Sequence, residues 1–273
     1  MVSRVILPES CKEDMPLSTE SINVDKQRVN YIVSNKLRGV NERKWLGSIW
    51  LVLDPIANSL VYLLVLSVVR SNPNPESLFM GISMFSNFRR GFSSGVASIT
   101  DFSGGLADVE RVRTRVLVRS KLKYRIIDSF LGSFGVCLLL IFYLGMDLEP
   151  VIVFFILSQL VGIMGEGVAL NASMVTKRVP DVKNLINYFM TLMFFGSPVL
   201  YPMSKTYGIH YRINEFNPFS YFIEAARYAA EIDSVFSEFD IRIFIPLMIT
   251  LVFLHFRGYY SIDKYRWEVS TWS

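Results

Sequence analysis

Two adjacent arginines, Arg89 and Arg90, fall in the middle of a largely uncharged stretch. At the centre of a membrane helix each buried guanidinium costs at least about 2.5–3.5 kcal/mol. Such a pair needs compensation: it either lines a path for an anionic substrate or snorkels to headgroups from an obliquely entering span. Two acids, Asp54 and Glu166, sit in other apolar stretches. They could pair with the arginines or relay protons. Pairing is favoured, because a relay needs a chain of titratable groups and these stand isolated. Tyr188, Phe189, Phe194, Phe195 and Tyr201 form an aromatic set able to stack on sugar rings along a channel, or simply to pack or face lipid. In a fourth stretch, Asp108 and Glu110 precede Arg111, Arg113, Arg115, Arg119, Lys121, Lys123 and Arg125. Val109, Val112 and Val116 share a helical face there, so a short surface helix made to dock into another protein's groove is expected. Plain topogenic charge is the simpler reading, and the Val-Arg alternation over 112–119 also fits a strand.

Hydrolytic, redox and metal chemistry find no residues. Cys11 and Cys137 have no Cys or His partner at zinc spacing, and His210 and His255 are isolated. No nucleophile elbow, His-Glu-x-x-His or phosphate-binding loop occurs. The chain is therefore expected to be no enzyme by itself and to bind no cofactor or metal.

The elements that must position these residues follow from composition. Of 273 residues, 51% are hydrophobic and only 19% charged, with a mean hydropathy of +0.35. The charges crowd into short stretches, which is the pattern of a polytopic membrane protein. At about 20 residues per span, the chain accommodates six spans and no fused catalytic domain. They are expected near 45–69, 78–100, 126–144, 151–175, 182–200 and 241–256. The first is opened by Arg43, Lys44 and Trp45 and interrupted by Asp54-Pro55; the second, rich in serine, cannot face lipid all round. Ahead of them, residues 1–22 read as a tail, and no cleavable signal peptide is expected. From Val24 to Val40, Val29, Ile32, Val33, Leu37 and Val40 recur at helical spacing opposite Lys26, Arg28, Lys36 and Arg38. That pattern predicts an interfacial amphipathic helix, or a soluble helix packed on a partner. Residues 201–240 are expected to form one or two half-helices dipping into the outer leaflet, and 263–273 a cytoplasmic tail. The fold class is thus all-α integral membrane.

Lys+Arg counts set the orientation. Segments 1–44, 101–125, 176–184 and 257–273 carry eight, seven, three and three, whereas segments 71–77, 145–150 and 201–240 carry three in all. The positive-inside rule places both termini in the cytoplasm.

Several motifs in fixed order resemble the permease subunit of polysaccharide-exporting ABC transporters, above all Gram-negative capsular polysaccharide exporters. They are Leu46-Gly47-Ser48-Ile49-Trp50 with Asp54-Pro55, Gly105-Leu106 before the basic stretch, and Arg178-Val179-Pro180-Asp181-Val182. Phe195-Gly196-Ser197-Pro198-Val199-Leu200-Tyr201-Pro202 and Asn217-Pro218 with Glu224-Ala225-Ala226-Arg227 complete the set. The resemblance spans about Lys36 to Tyr260.

The resemblance implies a homodimer of six-span subunits in the bacterial inner membrane, bound to two copies of a separate ABC ATPase that uses ATP and Mg. The 101–125 loop would supply the coupling helix through Asp108, Glu110, Arg111, Arg113 and Arg115. Spans one and five would line a channel for a lipid-linked capsular polysaccharide, with Tyr188, Phe189, Phe194, Phe195, Tyr201, Arg89, Arg90 and Asp54 as channel or gate residues. Periplasmic and outer-membrane capsule export proteins are further expected partners; nucleic acid is not. An O-antigen or teichoic-acid exporter is the near alternative, and a drug or lipid permease a more distant one. The basic loop carries more arginine than the capsule pattern and lacks its prolines, so the docking groove on the ATPase is expected to differ.

Overall fold

Ten α-helices make up the regular structure of the computed structural model, with two short 3-10 turns and no strand among the described residues, which are 19–43, 47, 49–69, 74–98, 114–179 and 181–265. In chain order the helices are α1 (Thr19–Arg43), α2 (Ile49–Val69), α3 (Pro75–Val96), α4 (Thr114–Phe142), α5 (Leu148–Leu170), α6 (Ser173–Arg178), α7 (Val182–Gly196), α8 (Gly208–Glu215), α9 (Pro218–Ala229) and α10 (Ile241–Tyr265). Four of them, within α2, α4, α5 and α10, are long and apolar enough to cross a membrane. The two other stretches expected to span fall short for different reasons. α3 carries Arg89 and Arg90, and α7 has only 15 residues, about 22 Å of helix.

The amphipathic pattern around Val24–Val40 folds as α1. Its buried residues Val29 and Val33 lie on one face, and Val29 packs with Val116 and Leu117 of α4, Leu170 of α5 and Ile262 of α10. The polar face is tied down too: Lys123 Nζ donates to Asn30 Oδ1 at 2.5 Å, and the Lys36 ammonium lies 4.4 Å from the centre of the Tyr124 ring. In α2 the helix runs unbroken through Pro55. Proline removes one backbone donor, which leaves the Leu51 carbonyl without its usual helical donor; one turn on, the buried Ser59 hydroxyl donates to the Pro55 carbonyl at 2.7 Å.

α3 sits at the centre. Asn74 caps it by accepting the Ser77 N–H at 3.1 Å, with Pro75 in the first turn, where a missing N–H costs nothing. Fifteen of its residues are buried, Ser77, Ser83 and Asn87 among them, whereas Ser93 is exposed. It packs closely on α5 through Gly91, Gly95, Gly162 and Gly165.

α4 starts about a turn into the basic stretch rather than at 126. The strand alternative for 112–119 is overturned over its described part, because 114–119 is helical. Buried Val116, Leu117, Ser120, Lys121 and Arg125 follow helical spacing, while Arg119 and Lys123 face outward. At 29 residues the helix is about 43 Å long. The α4–α5 hairpin closes over residues 143–147, where Gly145 takes φ +72.

α7 ends at Gly196, before Ser197-Pro198, and residues 201–240 contain two short helices, α8 and α9, and the two 3-10 turns. Asn217 accepts the Phe219 N–H at 3.1 Å ahead of α9, repeating the Asn-Pro start of α3. α10 then continues nine residues beyond the expected span end at 256.

Candidate functional site

Three places in the bundle gather the polar side chains: a basic cavity toward the α1 end, an aromatic cavity beside it, and a buried ion pair at the opposite end of α3.

The basic cavity, about 480 Å³, opens between α1, α3 and α4 and is lined by Lys36, Arg89, Arg90, Tyr124, Arg125 and Asp128, among others. Asp128 anchors its wall: Arg125 Nη2 lies 2.7 Å and Arg90 Nε 3.6 Å from Asp128 Oδ2. Arg125 also donates from Nε and Nη2 to the Ser129 hydroxyl at 3.0 and 2.8 Å. Arg90 donates from Nη2 to Asn87 Oδ1 at 2.5 Å, and Asn87 Nδ2 passes the network on to Ser133 at 2.9 Å and Ser158 at 2.6 Å. A Cβ on Gly132 would lie 2.2 Å from Arg90 Nη2; the glycine is the space that guanidinium occupies. Deeper toward α10, Lys121 Nζ donates to the Ser94 carbonyl and the Ser98 hydroxyl at 2.7 and 2.6 Å.

These distances correct two expectations. The acid that balances the arginines is Asp128, not Glu166 or Asp54. Glu166 is fully buried and in no salt bridge among the described residues; its hydrogen-bonding neighbour is the buried Tyr259 hydroxyl of α10. Asp54 is half-buried on α2 and in no ion pair among the described residues. Nor are the titratable groups isolated: Arg90, Asp128 and Arg125 are scattered in sequence and contiguous in space, because α3 and α4 cross at that level. Arg89 points the other way from Arg90, exposed and paired with no acid among the described residues.

The second cavity, about 140 Å³, is lined by Tyr62, Phe85, Arg89, Met190, Phe194 and Phe195, among others. Arg89 therefore borders both cavities. Phe194 is buried between Tyr62 and Phe85, with ring centroids 4.9 and 5.0 Å away. Phe195 stands edge-on to it at 5.0 Å but is itself exposed. Tyr188 and Phe189 are exposed on the outer face of α7 and line neither cavity. The aromatic set thus divides: at about 100° per residue, Phe194 turns inward, away from Tyr188 and Phe189, while Phe195 returns to the face of Tyr188.

Tyr201 has a structural partner set. Its hydroxyl donates to the Phe195 carbonyl at 2.8 Å, and His210 Nε2 lies 2.9 Å from both that hydroxyl and the Gly196 carbonyl. Asn214 Nδ2 adds a bond to Gly196 O at 2.9 Å. Burial pushes the Tyr201 phenol up to about 12, so it remains a donor at neutral pH. These contacts satisfy the last carbonyls of α7, which a helix cannot satisfy itself.

At the same end, Arg227 and Glu224 of α9 are both completely buried. The guanidinium donates to Glu224 Oε1 at 2.7 Å, Ser77 Oγ at 2.7 Å, and the carbonyls of Pro198, Tyr201 and Val199 at 2.7, 3.1 and 3.2 Å. The carboxylate in turn accepts the Met203 and Val235 N–H groups at 3.2 and 3.1 Å. One pair thereby ties the α7–α8 connection, the start of α3 and the approach to α10 to α9.

Of the residues expected to couple to an ATPase, Asp108, Glu110, Arg111 and Arg113 lie outside the described residues; Arg115 falls in the first turn of α4.

Architecture alone does not assign a role; comparison with known proteins supplies the family. A family model described as ABC-2 type transporter matches residues 31–230. The chain belongs to the ABC-2 type transporter family. A curated relative, the O-antigen export system permease protein RfbA of Myxococcus xanthus, is 32% identical over 186 residues, 63% of this chain and 67% of the relative. As an ABC-2 transporter chain it is a membrane-embedded permease, and its family implies an ABC ATPase as partner.

The matched region of this ABC-2 permease holds both cavities and the Glu224–Arg227 pair. The sequence singled out Glu224 and Arg227 only as a motif. Their i, i+3 spacing beside Asn217-Pro218 was the available signal. Arg125 and Asp128 carry the same spacing, and Arg125 was visible only as loop charge.

Proposed function

We propose that this chain is the transmembrane subunit of an ATP-driven exporter that moves a lipid-linked polysaccharide across the bacterial inner membrane. The likeness to an O-antigen export permease carries this reading. It favours an O-antigen-type glycan; the Gly105-Leu106 pattern before the basic stretch is what favours the capsular alternative. In either case the subunit works as one half of a homodimer on two copies of the ATPase, with both termini cytoplasmic. α3 and α7 complete six spans, since polar residues such as Arg89 are tolerated at membrane depth where they face protein or a water-filled cavity. Exposed Leu185, Tyr188, Phe189 and Leu192 on α7 and Leu60, Val61, Leu64 and Val65 on α2 supply apolar surface for a second subunit and for lipid. In this reading α8 and α9 form the outer gate, reaching into the outer leaflet.

The glycan path takes Tyr188, Phe189, Phe194, Phe195, Tyr201, Arg89, Arg90 and Asp54 as channel or gate residues, Phe194 and Arg90 acting from within the wall. A moving polymer requires several weak contacts rather than one tight site. Coupling enters through Asp108, Glu110, Arg111, Arg113 and Arg115. Because Arg115 and the Arg125–Asp128 pair share the helix α4, a push on the loop is delivered to that node as a rigid-body shift between two packings.

Deleting the gene in its native host tests the substrate. Loss of lipopolysaccharide ladders with glycan retained inside is the expected result. Intact ladders with internal capsule would move the assignment to capsule export, and no glycan phenotype would remove polysaccharide export altogether. Reversing the charges of Arg113 and Arg115 is expected to abolish substrate-stimulated ATP hydrolysis while the subunit still inserts; unchanged stimulation would remove this loop from coupling.

A further inference from the structure

We infer that Lys121 is a positioning residue for the transport cycle: its ammonium fastens the end of α3 to α4, so that motion arriving between the two helices drives them as one body. The inference rests on the coupling reading above, in which the 101–125 stretch receives the motion of the ATPase. It adds the residue that passes this motion into the bundle.

Lys121 lies two turns into α4 and is only 6% exposed, a state lysine adopts almost solely when its charge is engaged. Its Nζ donates to the Ser94 carbonyl at 2.7 Å and to the Ser98 hydroxyl at 2.6 Å. The Ser98 hydroxyl donates to the same carbonyl at 3.0 Å and is itself buried, so the three groups close on one another. Ser94 stands in the last turn of α3, where carbonyls run out of helical donors. No glycine caps that helix: Ala97 follows it in the right-handed region at φ −77 and ψ −6. The ammonium supplies from a second helix what a cap supplies locally, and its charge answers the negative end of the helix dipole.

The position of this tie is what gives it a role beyond capping. Residues 99–113 leave from Ser98 and return at Thr114, so Lys121 joins α3 and α4 at the base of the segment that links them. Farther along the crossing the same helices meet again at Arg90 and Asp128, with Nε 3.6 Å from Oδ2. Lys121 and Asp128 are seven residues apart on α4, about 10 Å of helix. One attachment would leave a pivot, about which a push on the link could swing α4 while α3 stayed behind. Two attachments fix the angle. Each helix then carries its own neighbours along: α3 lies against α5, where a Cβ on Gly95 would stand 2.5 Å from the Glu166 carbonyl oxygen. Val116 and Leu117 of α4 pack with Val29 of α1, Leu170 of α5 and Ile262 of α10. A shift between two packings of the whole bundle requires that these bodies start together.

The test uses the full-length chain with its ATPase partner in nanodiscs and compares the parent with Lys121→Met, which fills the space without a donor, Lys121→Arg, which keeps a cation, and Ser98→Ala. Amide hydrogen exchange over the last turn of α3 is followed without nucleotide and with ATP plus vanadate. The parent is expected to exchange at the same rate in both states. Lys121→Met is expected to exchange roughly tenfold faster in the trapped state, with ATP hydrolysis continuing and surface glycan falling in a deletion host that carries the variant. Ser98→Ala should show a smaller rise, and Lys121→Arg should follow the parent. Exchange that rises equally with and without nucleotide would reduce Lys121 to a helix cap and overturn the assignment, as would a parent-like response of Lys121→Met. If Lys121→Met does not assemble, Ser98→Ala decides, and its parent-like response would overturn the assignment. The coupling reading fails separately, when reversing Arg113 and Arg115 leaves ATPase stimulation unchanged; if that reversal uncouples and Lys121→Met does not, the present inference alone fails.

Discussion

Replacing Arg227 with leucine is expected to destabilise the permease by about 3–5 kcal/mol, the range for removing one partner of a buried ion pair. The magnitude follows from what the guanidinium holds. It is completely buried and donates to Glu224, Ser77 and the carbonyls of Pro198, Val199 and Tyr201. Leucine would leave the Glu224 carboxylate buried without its cation, still accepting two backbone N–H groups, and would orphan three carbonyls. Pairing the change with Glu224→Gln is expected to restore only part of the loss. It removes the stranded charge but returns no donor to Pro198, Val199 or Tyr201. Arg227→Lys should fall between, since three donors on one nitrogen cannot reproduce a planar fork. Thermal unfolding of the detergent-purified chain reads the effect, at about 2–4 °C per kcal/mol for a chain of this size. A leucine variant that melts with the parent would show that this end of the bundle is held by packing alone.

The second large effect is expected at Gly91. A Cβ there would stand 2.1 Å from the Gly162 carbonyl oxygen, and neighbouring contacts offer no slack: Gly165 would meet the Phe88 carbonyl at 2.5 Å, and Gly95 the Glu166 carbonyl at 2.5 Å. The colliding atoms are backbone, which cannot rotate away as a side chain can, so Gly91→Leu must push α3 and α5 apart. Small residues four apart are how membrane helices achieve such approach. Overpacking ordinarily costs about 1–3 kcal/mol; here separation would also unseat Phe154, Val161 and Ala169 from the central core. Loss of monodisperse folded protein is the expected outcome in size-exclusion chromatography. Gly39→Ala is the control, because nothing lies within 4 Å of its added Cβ and alanine favours helix by about 0.5–1 kcal/mol. Should Gly91→Leu elute like the control, the close α3–α5 crossing would be refuted.

Long-range electrostatics and packing separate what was legible from what was not. Apolar runs with at most one charge in their interiors marked α2, α5 and α10 in the sequence, because hydrocarbon admits few alternatives to a helix. The period of Val29 and Val33 likewise marked α1. Helix ends were read less well. α4 begins earlier because Val116, Leu117 and Lys121 find burial against neighbours that no local window contains. α7 stops earlier because Tyr201, His210 and Asn214 return to cap it.

The candidate site divides in the same way. By itself the sequence determined that this is a helical membrane chain, and it singled out Arg89 and Arg90 as charges needing a physical reason. Only the tertiary structure decided what the reason is. Adjacent residues on a helix point about 100° apart, so Arg90 turns into the wall to meet Asp128 while Arg89 turns into open space between two cavities. Sequence adjacency reports composition, whereas the partner of a buried charge depends on which helix crosses at that depth.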